Sequence, residues 1–201
     1  MSLYELKPRF QALLRPLTRR LAERGVTANQ VTLGAGAISV LLGALLCLAP
    51  SRPLFLLLPL WLFARMALNA IDGMLAREFG QKSRLGAYLN ELCDIVSDAA
   101  LALPFAFLPP FEPLSVFALI FCAVLSEYAG VMGPLAGAAR RYDGPFGKSD
   151  RALAFGALGA FIGLGLPMPG WLAWLMPAMA LLCLVTAVNR VRAGVRNRTE
   201  A

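Results

Sequence analysis

NAIDGMLAREFGQKSRLGAYLNELCDIVSD, residues 69–98, places Asp72, Glu91, Asp94 and Asp98 inside or at the edge of two segments apolar enough to cross a membrane. Acidic side chains in such surroundings are costly and are usually kept for function. The two segments belong to a series of six, near 31–49, 53–77, 85–108, 113–138, 151–166 and 170–191. Each is close to the roughly 20 residues that carry a helix across about 30 Å of hydrocarbon. The unbroken apolar runs exclude the alternating strands of a membrane barrel, and backbone groups in hydrocarbon must be satisfied within their own segment, so the spans are helices. The expected fold is an all-α polytopic membrane protein with six transmembrane helices in one membrane domain. A cytoplasmic interfacial amphipathic helix over 1–27 precedes the core at 28–193, and a tail over 194–201 follows it.

Composition agrees. Of 201 residues, 58% are hydrophobic and 15% charged, which leaves little room for a soluble domain. Basic residues gather on alternate connections: Lys7, Arg9, Arg15, Arg19, Arg20 and Arg24 before the first span, Arg77, Lys82 and Arg84 after the second, Arg140, Arg141, Lys148 and Arg151 after the fourth, and Arg190, Arg192, Arg196 and Arg198 after the sixth. The positive-inside rule then puts both termini and the acidic stretch on the cytoplasmic side; the expected location is a bacterial inner (plasma) membrane. The connectors at 50–52, 109–112 and 167–169 are short and proline-rich, as suits tight turns on the far side. The net charge of +7 describes a basic rim facing anionic lipid head groups. Nucleic-acid binding is not implied, because the aromatic residues lie in the apolar spans and not among the basic clusters.

The first 25 residues are neither a signal peptide nor a span. Leu3, Leu6, Phe10, Leu13, Leu14, Leu17 and Leu21 recur at helical spacing against the basic residues, the pattern of a helix lying in the interface plane. Cys47, Cys93, Cys122 and Cys183 show no paired spacing and read as buried thiols. With no histidine in the chain, proton transfer near neutral pH falls first to carboxylates.

Helical spacing sorts the acidic stretch into two faces. Asn69, Asp72, Gly73 and Ala76 share one, and Gly86, Asn90, Asp94 and Asp98 share the other. If the loop at 78–84 folds the helices back antiparallel, the two stripes meet just inside the cytoplasmic surface. Oxygen ligands converging from two helices suit a hard divalent cation. Gly73 and Gly86 would admit a phosphate-bearing substrate close to the backbone, with Arg77 opposing its charge.

The pattern Asp72-Gly73-x2-Ala76-Arg77-x8-Gly86-x3-Asn90-x3-Asp94 resembles the signature of the CDP-alcohol phosphotransferases, D-x2-D-G-x2-A-R-x8-G-x3-D-x3-D. Asn69 and Asn90 stand at the family's first and third aspartates. They can offer carbonyl oxygens but carry no charge, so two carboxylates occupy a pattern written for four. The resemblance implies a membrane transferase of phospholipid biosynthesis that moves a substituted phosphate from a CDP-linked donor, usually CDP-diacylglycerol, to an alcohol, with release of CMP. It implies Asp94 as general base, Asp72 as ligand of Mg2+ or Mn2+, and Asn69, Asn90 and Asp94 as further ligands. Gly73, Ala76, Arg77 and Gly86 would line the substrate, and the protein would be a homodimer. Asn29 and Thr32 resemble the family's P-N-x2-T segment near the nucleotide, although polar residues at a helix start also serve as caps. Glu91 is a candidate replacement carboxylate, one residue out of register with Asn90.

The loop at 140–151 suits an anionic acceptor through Lys148 and Arg151, or else anchors the cytoplasmic face with Ser149 or Asp150 capping the next helix. Arg65, Glu127 and Asp98 lie at similar depth, so Arg65 is expected to pair with Glu127, Asp98 or both. Inositol phosphate, glycerol phosphate, serine and a lipid alcohol all suit the motif as acceptors. Two other readings stay open: a noncatalytic relative that binds nucleotide or lipid, and a small cation-coupled transporter using Asp94, Asp98 and Glu127.

Overall fold

The structure is a computed structural model and describes residues 3–196. Arg198, and the side chains of Leu3, Leu6, Lys7 and Arg9, lie outside what is described. Among the described residues the chain is helical without strands: α1 (Leu3–Glu23), α2 (Ala28–Leu48), α3 (Leu57–Glu78), α4 (Arg84–Ala102), α5 (Pro113–Val131), α6 (Lys148–Gly163) and α7 (Leu175–Arg196), with short 3-10 turns leading into α3 and α7 and following α4 and α5.

Local chemistry sets the boundaries. At the start of α2, the Gln30 N–H donates to Thr27 Oγ1 at 3.2 Å and the Thr27 N–H to Gln30 Oε1 at 2.9 Å, a reciprocal capping box. Ser83 Oγ accepts the Gly86 N–H at 2.9 Å at the start of α4. Asp150 accepts the Gly147 N–H at 2.9 Å at the start of α6, so Asp150 closes that helix end. The fourth span was expected to run to 138, but α5 stops at Val131. Pro134 offers no N–H to continue a helix, and the chain turns back so that the Ala138 N–H reaches the Gly133 carbonyl at 2.9 Å. At the far end of α6, Gly165 adopts a φ of 75°, which ends the helix sooner than the apolar pattern does.

Among the described residues four helical stretches are long and apolar enough to cross a membrane: Ala28–Leu48, Arg52–Glu78, Pro113–Val131 and Gly170–Arg196. α4 carries Glu91, Asp94 and Asp98 within its 19 residues. α6 has 16 residues, and at 1.5 Å per residue that is about 24 Å. Length and composition alone therefore do not mark these two helices as spans.

The chain divides into two compact units, 3–41 with 60–97 and 42–59 with 98–196, the breaks falling inside α2, α3 and α4. In the first unit, Ala28, Ile71, Met74 and Leu75 form a buried cluster against which Leu14, Leu21, Ala22, Val31 and Ala76 pack. α1 thus turns Leu14 and Leu21 inward and leaves Leu13 and Leu17 exposed. Arg15 holds Glu78 through two bonds of 3.0 Å, tying α1 to the end of α3. In the second unit, the Phe105 ring meets those of Phe55, Phe111 and Phe155 at 5.4, 5.8 and 5.3 Å, and α5 packs along α7. Cys122 and Cys183 are buried, Cys47 and Cys93 half-buried, and all four thiols are free.

Candidate active site

Three helices of the first unit supply the motif residues. Thr32, one turn into α2, donates from Oγ1 to Asp72 Oδ2 at 2.8 Å, and both residues are buried. The same hydroxyl lies 3.1 Å from the Ala28 carbonyl, but its single proton gains more from the carboxylate. Asn29 sits against Gly86, where a Cβ would stand 2.8 Å from Asn29 Oδ1. The N-terminal turn of α2 therefore touches α3 at Asp72 and α4 at Gly86. Gly36 continues that contact, since a Cβ there would meet the Cys93 side chain at 3.4 Å.

On α3 the exposed Arg77 lays its guanidinium back over Gly73, with Nη2 2.8 Å from where a Cβ would be. Ala76 packs against the buried cluster. Asn69 and Asn90 are half-buried, as is Glu91. Arg65, 3% exposed, donates from Nη2 to Asp94 Oδ1 at 3.1 Å and to the Asp94 carbonyl at 3.2 Å.

Gln81 escaped sequence reasoning. Its Oε1 accepts the Ala28 N–H at 2.6 Å and its Nε2 donates to the Val26 carbonyl at 3.3 Å, fastening the α3–α4 loop to the start of α2. A single glutamine in a polar loop carries no signal that could have found it.

The residues present offer the oxygen ligands that a hard divalent ion takes. The carboxylates of Asp72 and Asp94, with amide oxygens on Asn69 and Asn90, are the ligand type such an ion prefers. Each carboxylate has one oxygen committed to a protein donor, Thr32 or Arg65. Among the described residues no three acidic, cysteine or histidine side chains gather as a metal cluster.

Lys148 and Arg151 belong to the second unit. Arg151, 2% exposed, bridges Asp98 at 3.0 Å and Glu127 at 2.9 Å. Glu127 is also met by Arg190 at 3.2 Å and Arg140 at 3.7 Å. The buried Nε atoms of Arg151 and Arg190 make no hydrogen bond. Charges at this depth do meet partners: Arg151 holds Glu127 and Asp98, and Arg65 lies on Asp94. Depth counted from proline turns does not separate Asp94 from Asp98, which stand one helical turn of about 5.4 Å apart. Lys148 is the half-buried first residue of α6. In the loop before it, Arg141 grips Asp143 at 2.9 and 3.0 Å and holds that carboxyl below its ordinary range.

Residues 25–188 match the family model described as CDP-alcohol phosphatidyltransferase. The inner membrane protein YnbA of Escherichia coli K12 is 51% identical over 195 residues, covering 96% of each chain. The phosphatidylinositol phosphate synthase of Mycobacteroides abscessus is 30% identical over 189 residues, 92% of this chain and 84% of that one. Among solved structures, the Mycobacterium tuberculosis phosphatidylinositol phosphate synthase with CDP-DAG bound superposes with a TM-score of 0.72 at 22% identity, over 89% of this chain and 92% of that one. The same enzyme with manganese and citrate gives 0.71 at 23% identity, over 89% and 87%. At those identities the two crystal structures show a shared fold.

Proposed function

Because the chain belongs to the CDP-alcohol phosphatidyltransferase family, we propose that it transfers a phosphatidyl-type group from CDP-diacylglycerol to an alcohol and releases CMP. The observation that carries this reading is that the start of α2 meets two separated parts of the motif, Asp72 through Thr32 and Gly86 through Asn29. In support, a relative of the same fold holds CDP-DAG in its crystal structure.

In this reading Asp94, oriented by Arg65, takes the proton from the acceptor hydroxyl. The hydroxyl oxygen forms a bond to the donor phosphorus that bears diacylglycerol, and the bond from that phosphorus to CMP breaks. Arg77 over Gly73 opposes the charge of the pyrophosphate. Asp72, Asp94, Asn69 and Asn90 hold Mg2+ or Mn2+, which supplies positive charge against the pyrophosphate oxygens when bound. Asn29, Thr32, Ala76 and Gly86 shape the nucleotide end, Thr32 by fixing Asp72. Six helices cross the membrane as one domain, α4 and α6 included, with α1 in the interface, both termini and the site cytoplasmic, and two chains in a dimer.

The test is CMP release from CDP-diacylglycerol by purified protein in detergent with Mg2+ or Mn2+, across a panel of alcohols. Release should require one alcohol class and vanish in Asp94→Asn. Retained CDP binding without release from any alcohol would favour the noncatalytic reading, which draws its support from the neutral Asn69 and Asn90.

A further inference from the structure

We infer that Gln81 is a positioning residue for the nucleotide end of this site: its side-chain amide sets where the start of α2 stands against the α3–α4 loop, and with it the affinity for the cytidine diphosphate group of the donor. The inference rests on the reading above. Gln81 falls among the eight positions between Arg77 and Gly86 to which the family signature assigns no residue type. Two turns meet there, each led by a glycine in the left-handed region: Gly25 at φ 77° before Val26, and Gly80 at φ 68° before Gln81. The Gln81 amide joins them, Oε1 accepting the Ala28 N–H at 2.6 Å and Nε2 donating to the Val26 carbonyl at 3.3 Å. Ala28, the first residue of α2, is 7% exposed, and its N–H has no acceptor within the helix. The glutamine oxygen therefore satisfies a largely buried donor that would otherwise cost free energy.

This clamp adjoins the contacts that build the site. Asn29 follows Ala28 directly and lies against Gly86, whose own N–H is held by Ser83 Oγ at 2.9 Å. Thr32, one turn further along α2, donates to Asp72 at 2.8 Å. A shift of about 1 Å between the helices would break such a bond, and Gln81 grips the backbone immediately before these side chains. The start of α2 does not need Gln81 in order to be helical, because Thr27 and Gln30 cap it within the helix itself. Losing the glutamine oxygen therefore frees a formed helix end to move, and the geometry offered to the nucleotide loosens with it. The two bonds are unequal. The accepting oxygen holds the closer partner. A glutamate at this position keeps that acceptor, whereas a methionine keeps the length of the side chain and loses both polar groups.

The experiment titrates CDP with Mg2+ into the purified full chain in detergent by calorimetry, and follows CMP release for the KM of CDP-diacylglycerol and of the alcohol. Gln81→Met should weaken CDP by about tenfold or more and raise the donor KM alike, with the alcohol KM unchanged. Gln81→Glu should stay within about threefold of wild type on every constant. Thermal midpoints of the same samples, with and without a fixed concentration of CDP, separate positioning from mere support of the fold. A glutamine that only supports the fold would lower the midpoint of Gln81→Met and leave the increment added by CDP as in wild type. That result, equal CDP affinities, a wild type that binds no CDP, or a Gln81→Glu as weak as Gln81→Met would each overturn the inference. Should Gln81→Met fail to fold, Gln81→Asn, one methylene short of its partners, carries the same expectation. CMP release distinguishes the inference from the transferase reading. CDP weakened in the variant without release by wild type sustains the positioning role and removes the transferase, while release with equal donor KM in both does the opposite.

Discussion

Thr32 shows how a side chain can be singled out in a sequence before its partner in the fold is known. Its place at the start of α2 and its likeness to a nucleotide-binding segment suggest contact with the donor, yet its hydroxyl is spent on Asp72. A hydrogen bond to a charged group contributes about 1.5–3 kcal/mol, so Thr32→Val should lower the rate of CMP release by tenfold or more while Thr32→Ser retains it. Equal rates in Thr32→Val and wild type would show that Asp72 needs no fixing. Asp94→Asn removes the proposed proton acceptor and should cost on the order of 10²–10⁴ in rate, measured under saturating donor with Mn2+. Asp72, Gly86 and Asp94 were legible because fixed helical spacing puts residues on known faces. Arg65 as the partner of Asp94 was not, since spacing within one helix says nothing about register against its neighbour.

At the scale of elements, two kinds of close contact hold helices together. Gly159 and Gly163 on α6 face residues 55–58, where added Cβ atoms would come within 2.9 Å of Leu58 and 2.5 Å of Leu56. Gly43 on α2 lies on the Ala100 backbone of α4 more closely still. Small residues are the usual means of such approach between apolar helices. Gly43→Ala must move a backbone and should cost about 1–3 kcal/mol by overpacking, visible as a lower thermal midpoint; an unchanged midpoint would contradict this packing. The second device is ionic. Glu127 on α5 gathers Arg151 of α6 and Arg190 of α7. Glu127→Gln would strand buried guanidinium charge and should destabilise by about 3–5 kcal/mol, lowering folded yield more than the turnover of what folds. The reverse pattern would place Glu127 in the chemistry. The helices themselves were legible from their apolar runs, but the end of α5 at Val131 was not, because Pro134 and the return of the chain onto Gly133 look from composition like a continuing span.

For the molecule as a whole, the alternation of basic and bare connections is the argument for orientation, and α1 is the argument for where it rests. Leu13 and Leu17 stay exposed on a helix whose Leu14 and Leu21 pack inward, which fits one flank against protein and another against lipid. Single cysteines introduced at Arg24 and Tyr142 in a chain cleared of its own thiols should label with a membrane-impermeant reagent in inside-out vesicles and not in right-side-out ones; the opposite result would invert the site. Family membership was legible in the motif at 72–94 and is matched over residues 25–188. The acceptor was not, since the motif is built around the donor. The central claim is group transfer with CMP as the leaving product, and the most direct test counts both products in proteoliposomes containing CDP-diacylglycerol, Mn2+ and the alcohol panel. One CMP for each new phosphodiester lipid, both absent in Asp94→Asn, is the predicted result; CMP without a new lipid, or neither product with any alcohol, would contradict it.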